Sequence, residues 1–192
     1  MTTAWSRWSS LAAGTAGAAL AGITTALVLS PGDTPASAFL GGAMAAIAAE
    51  DVRRLRVPDG VNAFAAVAGL AMIWIAARTA GHDWLAALGA AALAAALCGG
   101  SLYIVREAFY RLRGFDGLGF GDVKLGATAG IWLGWEQFPF AVLIAATGAL
   151  AYVVWRTAAD GIWPKDRRIP FAAFLAPAIW LCWLLSRRLS AL

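Results

Sequence analysis

Apolar residues in this chain fall into long unbroken runs, separated by short clusters in which charges, glycine and proline gather. The runs do not alternate as barrel strands would, so they predict helices. A spanning helix needs about 20 apolar residues, because the hydrocarbon core of a bilayer is roughly 30 Å thick. Seven runs qualify or come close: residues 11 to 30, 36 to 51, 61 to 78, 84 to 105, 122 to 136, 138 to 155 and 170 to 186. The second and fifth are short, and each meets an acidic residue at one end. Both are expected to stop just below the membrane surface.

Composition supports this pattern. Of 192 residues, 61% are hydrophobic and 14% charged, with mean hydropathy +0.71; soluble domains are under half apolar and about a quarter charged. The fold class predicted is all-α, a polytopic transmembrane helix bundle of about seven spans. Residues 1–35 form an N-terminal transmembrane helix and residues 36–192 the main membrane domain. Ala36-Ser37-Ala38 resembles a signal-peptide cleavage site, but an apolar run of about 20 residues exceeds the usual 7 to 15 of a signal core. An uncleaved helix is the preferred reading.

The net charge of +4 raises the question of nucleic acid. Placement answers it. With the N-terminus inside, 12 of the 15 basic residues fall in cytoplasmic segments, among them Arg53, Arg54, Arg56, Arg106, Arg111, Arg113 and Lys124. Arg78, Arg187 and Arg188 fall outside, so the basic excess follows the positive-inside rule. No nucleic-acid partner is expected. Cys98 and Cys182 lie inside spans with no CxxC pair, and they read as buried small residues. His82 reads as a solvated turn residue. Alanine-rich stretches with interspersed glycine predict close helix packing.

Acidic side chains beside apolar spans are costly and mark functional candidates. Two stand out. Asp51 ends the second run, seven residues before Pro58, and Pro58 forbids helix before it while Asp59 is placed to cap the next span. Asp122 begins the fifth run after Gly119 and Gly121, whose backbone freedom lets another chain pass close by. Taken singly, each has a plain structural reading: Asp51 as a helix-end carboxylate paired with a neighbouring arginine, Asp122 as an N-cap. Together they are 71 positions apart yet assigned to the same membrane face. Two carboxylates that share a proton can act as general base on a water and general acid on an amide. From the dipole of each residue's own helix, Asp122 is expected to serve as base and Asp51 to hold the proton. Asp116 is the rival carboxylate, read as a turn former. Lys124 is expected to anchor to lipid phosphate or the loop, and Trp132 and Trp135 to the membrane interface.

The segment Gly117-Leu118-Gly119-Phe120-Gly121-Asp122-Val123-Lys124-Leu125, with the upstream spacing of Asp51, Pro58 and Asp59, resembles the GxGD region of the bacterial type IV prepilin peptidases. Ile169-Pro170-Phe171-Ala172-Ala173-Phe174-Leu175-Ala176 resembles the start of that family's last helix, with Ala173 where a proline is common. The resemblance implies a six-helix peptidase core preceded by one helix. It implies an aspartic endopeptidase of the inner membrane with its site on the cytoplasmic side, catalytic Asp51 and Asp122, and no metal or other cofactor. Gly119, Gly121, Lys124, Pro58 and Asp59 would be supporting motif residues. The partners implied are prepilins or pseudopilins, each a short basic leader followed by an apolar helix, within the lipid bilayer. No paired CxxC motifs are present, so the family's methyltransferase activity is not expected of this chain. The rival readings are a small transporter, a pilus-assembly subunit or an inactive relative. Transport would place acids near the bilayer midplane on broken helices, whereas these lie at span ends.

Overall fold

The computed structural model describes residues 13, 15–24, 33–114, 117–160 and 169–190. Asp116 and most of the basic stretch from Arg156 to Arg168 lie outside the described residues. Within the described residues the chain is helical, with no strand, and forms a membrane-type bundle. Helix α1 is described over Thr15–Thr24. It is followed by α2 (Thr34–Arg54), α3 (Asp59–Thr79), α4 (Trp84–Arg113), α5 (Phe120–Asp160) and α6 (Ala172–Ser190). Four of these, α3 to α6, are long and apolar enough to cross a membrane. Large apolar side chains such as Leu93, Ile104, Leu143 and Val154 point outward, as lipid-facing surfaces require.

Local chemistry sets the ends. Pro35 sits in the first turn of α2, where its missing N–H goes unneeded. The helix stops at Leu55, whose left-handed backbone (φ 52°) sends its N–H to the Asp51 carbonyl at 2.8 Å. Helix α2 is therefore 21 residues long, longer than the run 36 to 51 predicted. Asp83 caps α4 by accepting from the N–H of Leu85 at 2.9 Å. Helix α4 runs on to Gly114, so Arg106 to Arg113 are helical and the connection to α5 is shorter than expected. The Glu107–Arg111 pair, 2.8 Å apart at i,i+4 spacing, supports this extra length.

Helix α5 contains both the fifth and sixth predicted runs. They are joined through a kink at Gly134, whose backbone (φ 74°, ψ 171°) is not helical. Pro139 follows five residues later and cannot donate to the carbonyl of Trp135. The break thus lies slightly earlier than the composition suggested. Helix α5 is central, packing against α3, α4 and α6, while α2 packs mainly against α6. Small residues make these contacts close: a Cβ on Gly130 would lie 2.5 Å from the Ala94 carbonyl oxygen across the α4–α5 seam.

Tryptophans tie the bundle as well. Trp180 donates to the Ser37 hydroxyl at 3.0 Å, joining α6 to α2. Trp132 donates to the Ala65 carbonyl at 2.9 Å, stacks near Phe39 and meets Trp183 edge-on. The expectation that Trp132 is an interface anchor is corrected: its indole is satisfied inside the protein. Trp135, beyond the kink, is 60% exposed.

Candidate active site

The short α2–α3 connection meets the start of α5 at one end of the bundle. Their contact explains both motifs. Gly121 lies under Val57: a Cβ there would fall 2.9 Å from the valine Cβ and 3.4 Å from its backbone N, so the position excludes side chains. Beside this contact, the Lys124 ammonium pairs with the Asp59 carboxylate at 2.7 Å. Pro58 occupies the cap position of α3, and Asp59 makes no side-chain cap bond. The cap expected of Asp59 is corrected here. Asp59 is the first helical residue and reaches across to α5, and Lys124, expected to anchor to lipid phosphate or the loop, pairs with that carboxylate. Lys124 also lies 5.5 Å from the ring centroid of Phe120.

The junction brings Asp51 and Asp122 inside. They are only 5% and 7% exposed, buried at a level unusual for aspartate. Each carboxylate is held by backbone from a different direction. Asp122 lies in the first turn of α5, where its Oδ2 accepts from the Gly119 N–H at 3.1 Å and its own N–H donates to the Gly119 carbonyl at 3.1 Å. The reciprocal pair resembles a capping box with an aspartate in the glutamate's place. Asp51 turns away from its arginine-rich surroundings. Arg54 pairs instead with Glu50 at 3.0 Å, while Asp51 Oδ2 accepts from the Ala173 N–H of α6 at 3.0 Å.

That last bond changes the expected electrostatics. Asp51 sits near the C-terminal end of α2, but its carboxylate faces the N-terminus of α6, where unpaired N–H groups favour negative charge. Both aspartates therefore receive a helix N-terminus. The dipole of each residue's own helix thus does not by itself distinguish the two. The two carboxylates are within electrostatic reach of each other. Asp122 Oδ1 is buried and accepts no hydrogen bond.

The arrangement thus presents two desolvated carboxylates from separate helices, one of which, Asp122, keeps an oxygen with no partner in the protein. Sequence reasoning singles out both aspartates, which the structure buries. It missed the Ala173 N–H, although the stretch from Ile169 to Ala176 had been singled out. It also missed Asn62, a buried amide one turn into α3.

Fold and site together define an all-helical membrane protein with two buried carboxylates, from separate helices, at one end of the bundle. The sequence profile of the type IV leader peptidase family matches residues 38–154, and the chain belongs to that family. It is 34% identical over 164 residues to the prepilin leader peptidase/N-methyltransferase of Burkholderia pseudomallei (strain 1026b), covering 84% of this chain and 50% of the relative. The protein of the same name from Dickeya chrysanthemi is 36% identical over 128 residues, covering 64% and 43%. That from Aeromonas hydrophila is 29% identical over 171 residues, covering 86% and 55%. The chain spans about half the length of these curated relatives. No solved structure matches it.

Proposed function

We propose that the chain is a membrane-embedded aspartic endopeptidase that removes the basic leader from type IV prepilins or pseudopilins at the cytoplasmic face of the inner membrane. One observation carries this reading: Asp51 and Asp122 are buried within electrostatic reach of each other, and Asp122 keeps an unpartnered oxygen. Charge placement supports the orientation, since Arg53, Arg54, Arg111 and Arg113 flank the same end of the bundle.

In this reading a water lies between the carboxylates, and the ionised one takes its proton. The water oxygen attacks the carbonyl carbon of the scissile amide as the protonated aspartate gives its proton to the carbonyl oxygen. Collapse of the tetrahedral intermediate breaks the C–N bond, with a proton passing to the departing amine. Asp122 Oδ1 suits the base role because nothing in the protein occupies it. The Gly119 and Ala173 N–H groups hold the other oxygens, fixing both side chains before substrate arrives. A rate that needs one shared proton falls at both pH extremes, where the pair is doubly protonated or doubly ionised.

The test uses the purified protein in detergent with a prepilin peptide carrying its leader and apolar segment. Leader release by the wild type, abolished in both Asp51→Asn and Asp122→Asn, is the expected result. No release by the wild type, or release that persists in Asp122→Asn, removes the proposal in favour of a non-enzymatic membrane protein or an inactive relative.

A further inference from the structure

Among the described residues, Asn62 Oδ1 and Asp122 Oδ1 are buried carboxyl or carboxamide oxygens that accept no hydrogen bond. The mechanism uses the second. Asn62 is 6% exposed, on the face of α3 turned toward α5. Asp59 and Ala65, three residues to either side, fix that orientation: Asp59 binds Lys124 and the Ala65 carbonyl binds Trp132, both on α5. Neighbours on one helix face recur every three to four residues, so Asn62 lies between these two ties. Its counterpart on α5 is Thr128, four residues from both Lys124 and Trp132. The Thr128 hydroxyl donates to the Lys124 carbonyl of its own helix at 3.3 Å. The seam is thus tied on either side of Asn62, by Asp59–Lys124 and by Ala65–Trp132.

A buried amide oxygen is ordinarily paired. An unpartnered acceptor on the α3–α5 seam is complementary to a group that brings its own N–H. The apolar helix of a prepilin does so. The first four N–H groups of any helix lack intrahelical partners, and in this substrate class they lie at the junction with the leader. We infer that Asn62 is a substrate-binding residue whose Oδ1 accepts a backbone N–H from the cleavage junction, holding that segment against the α3–α5 seam. This inference rests on the peptidase reading above. It assigns recognition to main-chain geometry, so the contact tolerates variation in pilin side chains.

The experiment measures leader release and peptide binding with Asn62→Leu and Asn62→Ala, alongside thermal melting of each variant in detergent. Binding is read in an Asp122→Asn background, where substrate is not consumed. Loss of one hydrogen bond predicts a fall of about tenfold in kcat/KM, carried mainly by KM, and a matching weakening of binding. Melting of Asn62→Leu should be unchanged or higher, because an unpaired polar atom has been replaced by an apolar one. A second arm uses peptides N-methylated at single positions around the cleavage bond. One methylation should slow the wild type about tenfold and have little further effect on Asn62→Leu.

Wild-type kinetics in both variants, with a methylation pattern identical to that of the wild type, overturns the assignment while leaving the peptidase reading intact. So does a lowered melting temperature in both variants, which assigns Asn62 to the fold. Absence of wild-type cleavage overturns both readings together.

Discussion

Asp83 and Asp122 stand at the starts of neighbouring helices at opposite ends of the bundle, and they show what separates an exposed capping acid from a buried one. Asp83 caps its own helix in the open, through the N–H groups of Leu85 and Ala86 at 2.9 and 3.4 Å. Asp122 is buried, and a loop from another part of the chain covers its helix start. The far end of the bundle has other acids too. Asp33 lies 3.8 Å from Arg187, and Glu136 borders an apolar groove of about 270 Å³ beside the Gly134 kink. Acidity is common to both ends. Burial of two carboxylates occurs at the Asp51–Asp122 end, and it is burial that makes protonation negotiable.

The largest expected effect tests that contrast directly. Asp122→Asn and Asp51→Asn should each lower leader release by about 10² to 10⁴-fold, the usual contribution of a positioned general acid or base. Asp83→Asn should change it less than about twofold, since asparagine and aspartate cap helices comparably. Steady-state cleavage of one peptide by all three variants makes the comparison. Equal losses at Asp83 and Asp122 would dissolve the distinction.

Next comes the joint between the two motifs. Gly121→Ala places a methyl group against Val57, and overpacking of this kind costs about 1 to 3 kcal/mol. Reduced melting temperature and reduced cleavage are expected together. Adding Val57→Gly should restore part of both, because it removes the Cβ and Cγ2 that the new methyl group would meet at 2.9 and 3.0 Å. A double-mutant cycle checks it: purely additive losses would mean that Val57 is not what Gly121 must admit.

Smaller still is the effect of the Ala173 N–H. Proline is tolerated in the first turn of a helix, so Ala173→Pro removes the donor to Asp51 with little disturbance to α6. Kcat should fall about tenfold or less, as one hydrogen bond to a carboxylate is lost. Ala173→Gly, which keeps the N–H, should behave as the wild type. Loss of activity in both variants would trace the effect to the shape of the helix start instead of the bond.

Fold class was readable from the apolar runs because lipid imposes one solution on long unalternating segments. Asp51 and Asp122 were readable because a carboxylate at the end of an apolar run is conspicuous. Their partners were not, and for a physical reason. The donor to Asp51 is a backbone N–H, which every residue but proline carries, so nothing in the identity of Ala173 announces it. Asn62 looked ordinary because its burial depends on how α3 turns toward α5. Lys124 and Asp59 are 65 positions apart and each has a plausible local task. The direction of the α2–α3 loop decided between the local tasks and the long-range pair.

That pair gives the smallest expected effect. Its side chains are 43% and 73% exposed, and exposed ion pairs contribute roughly 0.2 to 1 kcal/mol. Lys124→Ala alone should therefore shift melting only slightly and leave the chemistry of the aspartates in place. If the pair registers α3 against α5, however, removing it should loosen the position of the loop over Gly121. The discriminating experiment is the exchange Asp59→Lys with Lys124→Asp, compared with each single change. Recovery of cleavage in the exchanged protein beyond that of either single variant, with the gain diminishing as salt is raised, would make Coulomb attraction the link between the motifs. Full activity in Lys124→Ala would leave the Val57–Gly121 contact as the joint that sets the distance between the two carboxylates.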